Sequence, residues 1–525
     1  MSLTAQTYWA EHAWLDGAVE RGVVIVTRSD GRIAAVRTGA SGPPVGGVEL
    51  RGLTIPGLAN AHSHAFHRAL RGTVQGAAAG PARGGEDGRD TSAPGPGAPA
   101  GGVYAGGAAD GGAKAVGPEA GPGAGGQGSG APGPGAPGLL GPGPVPVGGR
   151  RAPGSFWAWR QVMYAVADAL TPESYFALAR AAYAEMAMAG ITCVGEFHYL
   201  HHPPGGGRYD DPNTMGKALI AAAAAAGIRI TLLDTCYLSS GFGAAPDRHQ
   251  LRFSDGTADA WAERADALRG DGNTRVGAAV HSVRAVPADQ LATVAAWAAR
   301  RSAPLHVHLS EQTAENDACV EAHGFTPARL LADHGVLGER TTAVHATHLT
   351  PGDIRLLGES ATGVCVCPTT ERDLADGIGP AAELRRAGSA LCLGSDSHAV
   401  VDLLEEARAL ELDERLRTRA RGHWTAAELL HAATAAGHAA LGWGDDAGRI
   451  APGALADFTT VALDSVRTAG PPPGLEVETA VFAATSADVR HTVVGGRHVV
   501  RDGRHQLVPR VPEALAEAVA AVRGA

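Results

Sequence analysis

The chain has 525 residues, of which 45% are hydrophobic and 19% are charged, and its formal net charge is −10. These values are ordinary for a globular protein, and length alone does not set the number of domains, because α/β barrels often exceed about 250 residues. The acidic balance argues against nucleic-acid and membrane partners, and no basic, apolar leader is visible at the N-terminus, so we expect a cytoplasmic protein.

Both ends of the chain carry hairpin-like β patterns. Residues 22–50 include VVIVTRSDGRIAAV, in which turn-forming residues separate two strand-forming runs. Residues 481–504 include TVVGGRHVVRDG, which repeats that pattern. We therefore predict a small β-sandwich domain formed by 1–52 together with 446–525, and the latter segment ends in a terminal helix.

The middle of the chain alternates short β-rich runs with stretches of helical periodicity. This alternation predicts a parallel sheet with crossover helices, and eight repeats of it predict an α/β fold with a closed (β/α)8 TIM barrel over 53–445. The predicted strands are 53–62, 192–199, 229–238, 276–283, 305–309, 342–348, 363–368 and 390–395. Predicted helices include 172–189, 289–300 and 425–441.

One segment interrupts the predicted barrel. From about residue 76 to residue 154 the sequence is mostly Gly, Ala and Pro, with hardly any large apolar residue. Such a composition buries too little apolar surface to offset the chain entropy, and the lack of a strict three-residue Gly period excludes collagen. We therefore predict a disordered insert in the first βα loop that projects into solvent.

Histidine and carboxylate motifs end several of the predicted strands. His62 and His64, in NAHSHAFHRAL, lie two residues apart and therefore share one face of a strand. The later motifs are LHVHLSEQ with His306, His308 and Glu311, AVHATHL with His345 and His348, and LCLGSDSH with Asp396 and His398. Because the carboxyl ends of barrel strands meet at one rim, where barrel enzymes assemble their active sites, the motifs are predicted to converge.

The donor types favour a zinc site. Three neutral imidazoles and one carboxylate leave room for a water molecule, whose pKa zinc lowers to about 7. We assign the four ligands to His62, His64, His308 and Asp396. His306 faces the same way one layer deeper, and we interpret it as a packing residue.

These motifs resemble the amidohydrolase superfamily, which carries HSH on the first strand, a His on the fifth, a His on the sixth and Asp in GSDSH on the eighth. The strings GRIAPGALADFTTV and VVGGRHVVRDG resemble its terminal β-sandwich. Many members hold two metals through a carboxylated Lys on the fourth strand, but the run 276–283 contains no Lys. The resemblance therefore implies one Zn²⁺ per subunit, and it also implies a homodimer.

The string HLSEQ resembles the deaminase branch of that superfamily. The resemblance implies that Glu311 relays protons to the departing nitrogen, a task that suits a carboxyl group. It also implies that His345 orients the water and stabilises the tetrahedral intermediate, while Asp396 takes the proton of the water.

Four further strings, SFWAWRQVMY, GEFHYLHH, VHSVRAV and CPTTERDLADGIGP, resemble the formimidoylglutamate deiminases. These convert N-formimidoyl-L-glutamate and water into N-formyl-L-glutamate and ammonia in histidine degradation. The resemblance implies that Tyr199, His281 and Arg284 bind the glutamate portion, with a contact from His67, where the family often has Gln. An Arg agrees with this substrate, because a guanidinium binds a carboxylate in bidentate fashion.

Two other interpretations stay open. A deaminase of the same branch that acts on guanine, adenosine or S-adenosylhomocysteine would share the metal site. An aromatic-lined base pocket in place of Tyr199, His281 and Arg284 would favour it. A barrel that has lost catalysis and serves as an assembly scaffold would lack stoichiometric metal.

Overall fold

The computed structural model describes residues 5–73 and 156–524. The Gly-rich insert predicted at 76–154 lies outside these described residues. In chain order the strands are β1 (Thr7–Leu15), β2 (Ala18–Thr27), β3 (Ile33–Arg37), β4 (Val48–Pro56), β5 (Leu58–Ser63), β6 (Ile191–His198), β7 (Arg229–Cys236), β8 (Thr274–Val280), β9 (Leu305–Leu309), β10 (Thr341–His345), β11 (Gly363–Val366), β12 (Leu391–Leu393), β13 (Phe458–Val461), β14 (Val489–Val494), β15 (Arg497–Arg501) and β16 (Arg504–His505).

Most helices follow the strands of the barrel, and a final helix ends the described part of the chain. They are α1 (Phe156–Ala169), α2 (Pro172–Met188), α3 (Thr214–Ala226), α4 (Ala258–Asp266), α5 (Ala288–Arg301), α6 (Thr313–His323), α7 (Pro327–Asp333), α8 (Pro351–Glu359), α9 (Pro368–Asp373), α10 (Ala381–Ala387), α11 (Leu403–Thr418), α12 (Ala426–His431), α13 (Gly437–Ala440), α14 (Glu476–Ala483) and α15 (Val511–Arg523). Across the described ranges, no helix is long and apolar enough to cross a membrane.

One sheet is built from the two ends of the chain, in the order β16-β15-β14-β13-β4-β1-β2-β3. Three of its hairpins turn through two residues with positive φ, which gives the type I′ geometry that matches strand twist. The turn pairs are Asp16 with Gly17, Gly495 with Gly496, and Asp502 with Gly503. Tyr8 of β1 packs edge-on against Phe458 of β13, with ring centroids 5.1 Å apart. The prediction that the two ends fold together is confirmed.

The other sheet contains β5 to β12 in sequence order, and its neighbouring strands are parallel. A bridge between Ser63 and Asp396 joins the ends of β5 and β12, and the amide of Asp396 donates to the carbonyl of His62 at 3.0 Å. Most residues of these strands are buried, as expected where helices cover a parallel sheet. The predicted (β/α)8 barrel is confirmed.

The first barrel strand begins later than predicted. Leu53 to Pro56 belong to β4 of the terminal sheet, and Gly57 separates them from β5. A Cβ at Gly57 would lie 2.2 Å from Oγ1 of Thr192, so only glycine lets the chain pass from one sheet to the other there. The boundary between β4 and β5 could not be predicted, because a continuous apolar run has no periodicity that marks where one strand ends and the next begins.

Helix starts follow local capping rules. Thr171, before α2, and Thr425, before α12, each cap the helix with a reciprocal capping box. The predicted helices at 172–189 and 289–300 correspond to α2 and α5. The prediction at 425–441 corresponds to α12 and α13, which a π-helical turn over Ala432–Ala436 joins.

Candidate active site

The four proposed metal ligands lie at the rim where β5, β9 and β12 end. Their ligand atoms all lie within 4.8 Å of one another. Oδ1 of Asp396 is 3.3 Å from Nε2 of His62 and 3.3 Å from Nε2 of His64. Nε2 of His308 lies 3.0 Å from Nε2 of His62. Residues that are hundreds of positions apart in sequence therefore converge on one centre.

Backbone carbonyls aim two of these imidazoles. Nδ1 of His64 lies 3.0 Å from the carbonyl oxygen of Phe197, and Nδ1 of His308 lies 2.9 Å from that of His281. A carbonyl oxygen only accepts, so each Nδ1 carries the proton and each Nε2 turns its lone pair to the centre. Burial lowers the pKa of His62 to about 3, which keeps that ring neutral.

A buried carboxylate fixes the backbone around the HSH motif. Glu196 of β6 accepts the amide N–H of Ala65 at 2.7 Å and the hydroxyl of Ser63 at 3.0 Å. These two bonds hold the chain on both sides of His64. Burial raises the pKa of Glu196 to about 7.

This donor set fits a single zinc ion. It offers three neutral nitrogens and one carboxylate oxygen, the mix that catalytic zinc sites use with one position left for water. Burial alone would raise the pKa of Asp396, but the adjoining imidazoles of His62 and His64 and the charge of His345 hold it well below its usual range. Lys217, the lysine within the described residues, lies on α3 and pairs with Asp211 at 2.5 Å, far in sequence from the fourth barrel strand. When bound, zinc supplies a water molecule of lowered pKa.

Strained backbone marks the same rim. Non-glycine residues with positive φ occur just after β9, at the end of β10 and just after β12. They are Ser310 (51°), His345 (69°), Ala346 (51°), Asp396 (36°) and His398 (58°). Such conformations cost about 1–3 kcal/mol each and persist where the surroundings enforce them, often at functional sites.

Glu311 and His345 stand beside the ligand cluster. Oε1 of Glu311 is 3.9 Å from Nε2 of His345, which in turn is 3.8 Å from Oδ2 of Asp396. Burial raises the pKa of Glu311, and the charge of Asp396 adds to that rise. Burial lowers the pKa of His345, but Glu311 and Glu371 outweigh it and raise this pKa to about 10. The geometry thus places a carboxyl group and an imidazole, each with a raised pKa, side by side at the centre.

The residues predicted to bind substrate line the cleft that opens over this centre. Its lining includes His67, Tyr199, His281 and Arg284. Nε2 of His67 lies 3.3 Å from the hydroxyl of Tyr199, and Nε of Arg284 donates to a carboxylate oxygen of Glu315 at 3.2 Å. The structure therefore brings together every predicted site residue.

Sequence reasoning missed part of the wall of the cleft. Trp159, Arg160, Met163 and Tyr164 line it from α1, and Tyr237 and Phe253 line it from the loop after β7. The four α1 residues form two adjacent pairs that lie four positions apart, which places them on one helix face. That spacing in SFWAWRQVMY was the available signal, whereas nothing local marked Tyr237 or Phe253.

A second His and Asp cluster lies behind the wall of the cleft. His198, His201 and Asp234 bring their ligand atoms within 4.8 Å of one another. However, Arg264 donates to both carboxylate oxygens of Asp234, at 2.7 Å and 2.8 Å, and Trp261 donates to one of them at 2.8 Å. The carboxylate is already neutralised by a guanidinium, so we interpret this cluster as a structural network that ties β6 and β7 to α4.

Comparison with known proteins identifies the family of the chain. The family model described as "Amidohydrolase family" matches residues 147–499. The chain belongs to the amidohydrolase family. In this family context, the eight-stranded barrel and the β domain from the two ends form the expected fold.

Three individual comparisons refine this family assignment. Over 508 residues the chain is 32% identical to a formimidoylglutamate deiminase of Pseudomonas aeruginosa, covering 95% of each protein. Over 357 residues it is 33% identical to an 8-oxoguanine deaminase of the same organism, covering 66% of this chain and 76% of the relative. The crystal structure of an amidohydrolase from Brucella melitensis aligns with a TM-score of 0.78 and 28% identity, covering 99% of this chain and 100% of the other. The chain is thus a hydrolase of the deaminase group of this family.

Proposed function

We propose that the protein hydrolyses N-formimidoyl-L-glutamate to N-formyl-L-glutamate and ammonia, with one zinc ion held by His62, His64, His308 and Asp396. The observation that carries this proposal is one cleft that joins this centre and Glu311 to two guanidinium groups, those of Arg160 and Arg284. The similarity to a formimidoylglutamate deiminase over nearly the whole chain supports it. The homodimer stays a prediction.

The two arginines suit a substrate with two carboxylates. Arg284 uses its Nε–H on Glu315, and a guanidinium has five N–H donors in all. Nε of Arg160 donates to the hydroxyl of Tyr164 at 2.7 Å, which braces that side chain against its own helix. A half-buried guanidinium binds a carboxylate more strongly than a solvated one does, because water competes less.

The chain supplies the proton transfers that amidine hydrolysis needs. Water adds its oxygen to the amidine carbon, and Asp396 takes a proton from it. Glu311 donates a proton to the terminal nitrogen, which gives a tetrahedral carbon that carries one hydroxyl and one amino group. Glu311 then passes the hydroxyl proton to that amino nitrogen, so that the C–N bond breaks, ammonia leaves and a carbonyl forms. The proton held by Asp396 returns to Glu311 through solvent and resets both groups. The raised pKa of Glu311 increases its protonated fraction at a given pH, which suits a proton donor.

An aromatic wall favours a second candidate. Trp159, Tyr164, Tyr199, Tyr237 and Phe253 surround the cleft, and stacked aromatic rings are a common way to hold a purine. A deaminase acting on guanine, adenosine or S-adenosylhomocysteine would use the same ligands and the same Glu311. The similarity to an 8-oxoguanine deaminase is in line with this alternative.

Ammonia release separates the two candidates. The zinc-loaded protein is mixed in turn with N-formimidoyl-L-glutamate, guanine and adenosine, and ammonia is followed with a coupled assay. We expect kcat/KM for the amidine to exceed that for either purine by at least about 10³-fold, because a purine lacks the carboxylates that the two half-buried guanidinium groups are proposed to bind. Faster release from a purine would overturn the proposal in favour of the second candidate.

Replacing Arg284 tests the carboxylate end of the cleft. We expect Arg284→Met to lower kcat/KM for N-formimidoyl-L-glutamate by about 10²-fold or more, mainly through KM, because a paired buried charge is lost. Arg284→Lys keeps the charge opposite Glu315 and is expected to fall in between. Arg355→Met, at an exposed arginine of α8, is the control. An unchanged KM in both Arg284 variants, with melting temperatures near wild type, would contradict this assignment.

A further inference from the structure

We infer that Glu371 is a positioning residue that holds the imidazole of His345 in its working orientation. The role of His345 in turnover is taken from the proposed function, and this inference rests on it to that extent. Oε1 of Glu371 lies 3.3 Å from Nδ1 of His345 and also accepts the amide N–H of Cys367 at 2.9 Å. Glu371 is 5% exposed and is not among the residues that line the cleft. It therefore acts through His345 and does not touch substrate.

The carboxylate is fixed independently of the histidine. Cys367 follows β11 directly, and Glu371 lies one turn later on α9, where its amide donates to the carbonyl of Cys367 at 3.0 Å. Its side chain then reaches back to the amide of the same Cys367. The start of α9 is itself anchored, because Glu406 of α11 accepts the amide N–H of Thr369 at 2.9 Å. Oε1 of Glu371 is thus a preformed acceptor at a set place beside β10.

The histidine needs such an anchor. His345 has a φ of 69°, which is uncommon for a residue other than glycine. Contacts from the surrounding residues must therefore hold it in this conformation. With Nδ1–H donated to Glu371, Nε2 faces the centre, 3.8 Å from Asp396 and 3.9 Å from Glu311. A carboxylate behind an imidazole selects one tautomer, locks the ring and stabilises positive charge on it. The carboxylate of Glu371 thus helps to set the orientation of His345, although Glu371 does not line the cleft.

Glu371→Gln gives a nearly isosteric test. The amide oxygen of Gln can still accept both N–H groups, so we expect wild-type metal content and an unchanged fold. The negative charge is lost, and we expect kcat to fall about 10–100-fold with KM within about twofold of wild type. Glu371→Ala is expected to lose more turnover. Glu359→Gln, at an exposed glutamate on α8, is the matched control and is expected to change neither constant.

A spectroscopic readout separates positioning from activity. In protein labelled with ¹⁵N-histidine, we expect a downfield Nδ1–H proton resonance that disappears in His345→Gln, moves upfield in Glu371→Gln and is lost in Glu371→Ala. If this resonance follows the substitutions but the wild type releases no ammonia from N-formimidoyl-L-glutamate, the proposed function fails and the positioning role stands. If both the resonance and kcat are unchanged in the folded, metal-loaded Glu371 variants, the inference is overturned.

Discussion

Replacing Glu311 with glutamine is expected to lower kcat for amidine hydrolysis by about 10³-fold while the chain stays folded and keeps its metal. The amide is nearly the same size as the carboxyl group but cannot give a proton to the departing nitrogen. Without that proton, the leaving group would have to depart as an amide anion. KM is expected to stay near wild type, because Glu311 acts on the breaking bond, whereas the glutamate portion is proposed to bind to Arg160 and Arg284.

The measurement is steady-state ammonia release together with metal content and melting temperature. Glu321→Gln, at an exposed carboxylate on α6, is the control for loss of one negative charge nearby in sequence. Turnover within about tenfold of wild type in Glu311→Gln would contradict a proton-transfer role, since positioned acids contribute about 10²–10⁴-fold. Loss of turnover that merely follows loss of metal would also contradict it.

Removing the metal is expected to abolish measurable turnover, and adding zinc is expected to restore it with a break at one equivalent per chain. The four donors converge within 4.8 Å, and a zinc ion held there would supply a water molecule of lowered pKa. His308→Ala is expected to mimic metal removal, because it deletes one of three imidazole ligands. Depletion with a chelator, followed by a zinc titration of activity, measures this.

The control is His431→Ala, at an exposed histidine on α12, which should keep full activity and metal. A break at two equivalents would contradict the mononuclear site. Full activity in the depleted protein would contradict any role for the metal in catalysis.

Much of the centre could be predicted from sequence because its ligands lie at strand ends. His62 and His64 share a face through the two-residue period of a strand, and the barrel gathers all strand ends at one rim. Both of these predictions can be made without knowing the conformation of the loops. The same logic predicted His308 and Asp396 beside them, and the structure brings the ligand atoms of all four within 4.8 Å of one another.

The supporting contacts could not be predicted, because they depend on loops that fold against each other. The carbonyls of Phe197 and His281 aim two ligands, yet a carbonyl leaves no mark in the sequence. Tyr237 directly follows β7 and Glu371 lies on α9, and the positions of both depend on how these segments pack against neighbouring strands and helices. The need for glycine at position 57 could not be predicted either, because it depends on the close approach of Thr192 from the adjacent strand.

The most direct test of the metal centre is anomalous diffraction at the zinc edge from crystals grown with zinc. We expect one peak per chain, within about 2.0–2.2 Å of Nε2 of each of the three histidines and of a carboxylate oxygen of Asp396. A peak beside His198, His201 and Asp234 instead, or the lack of any peak among His62, His64, His308 and Asp396, would contradict it.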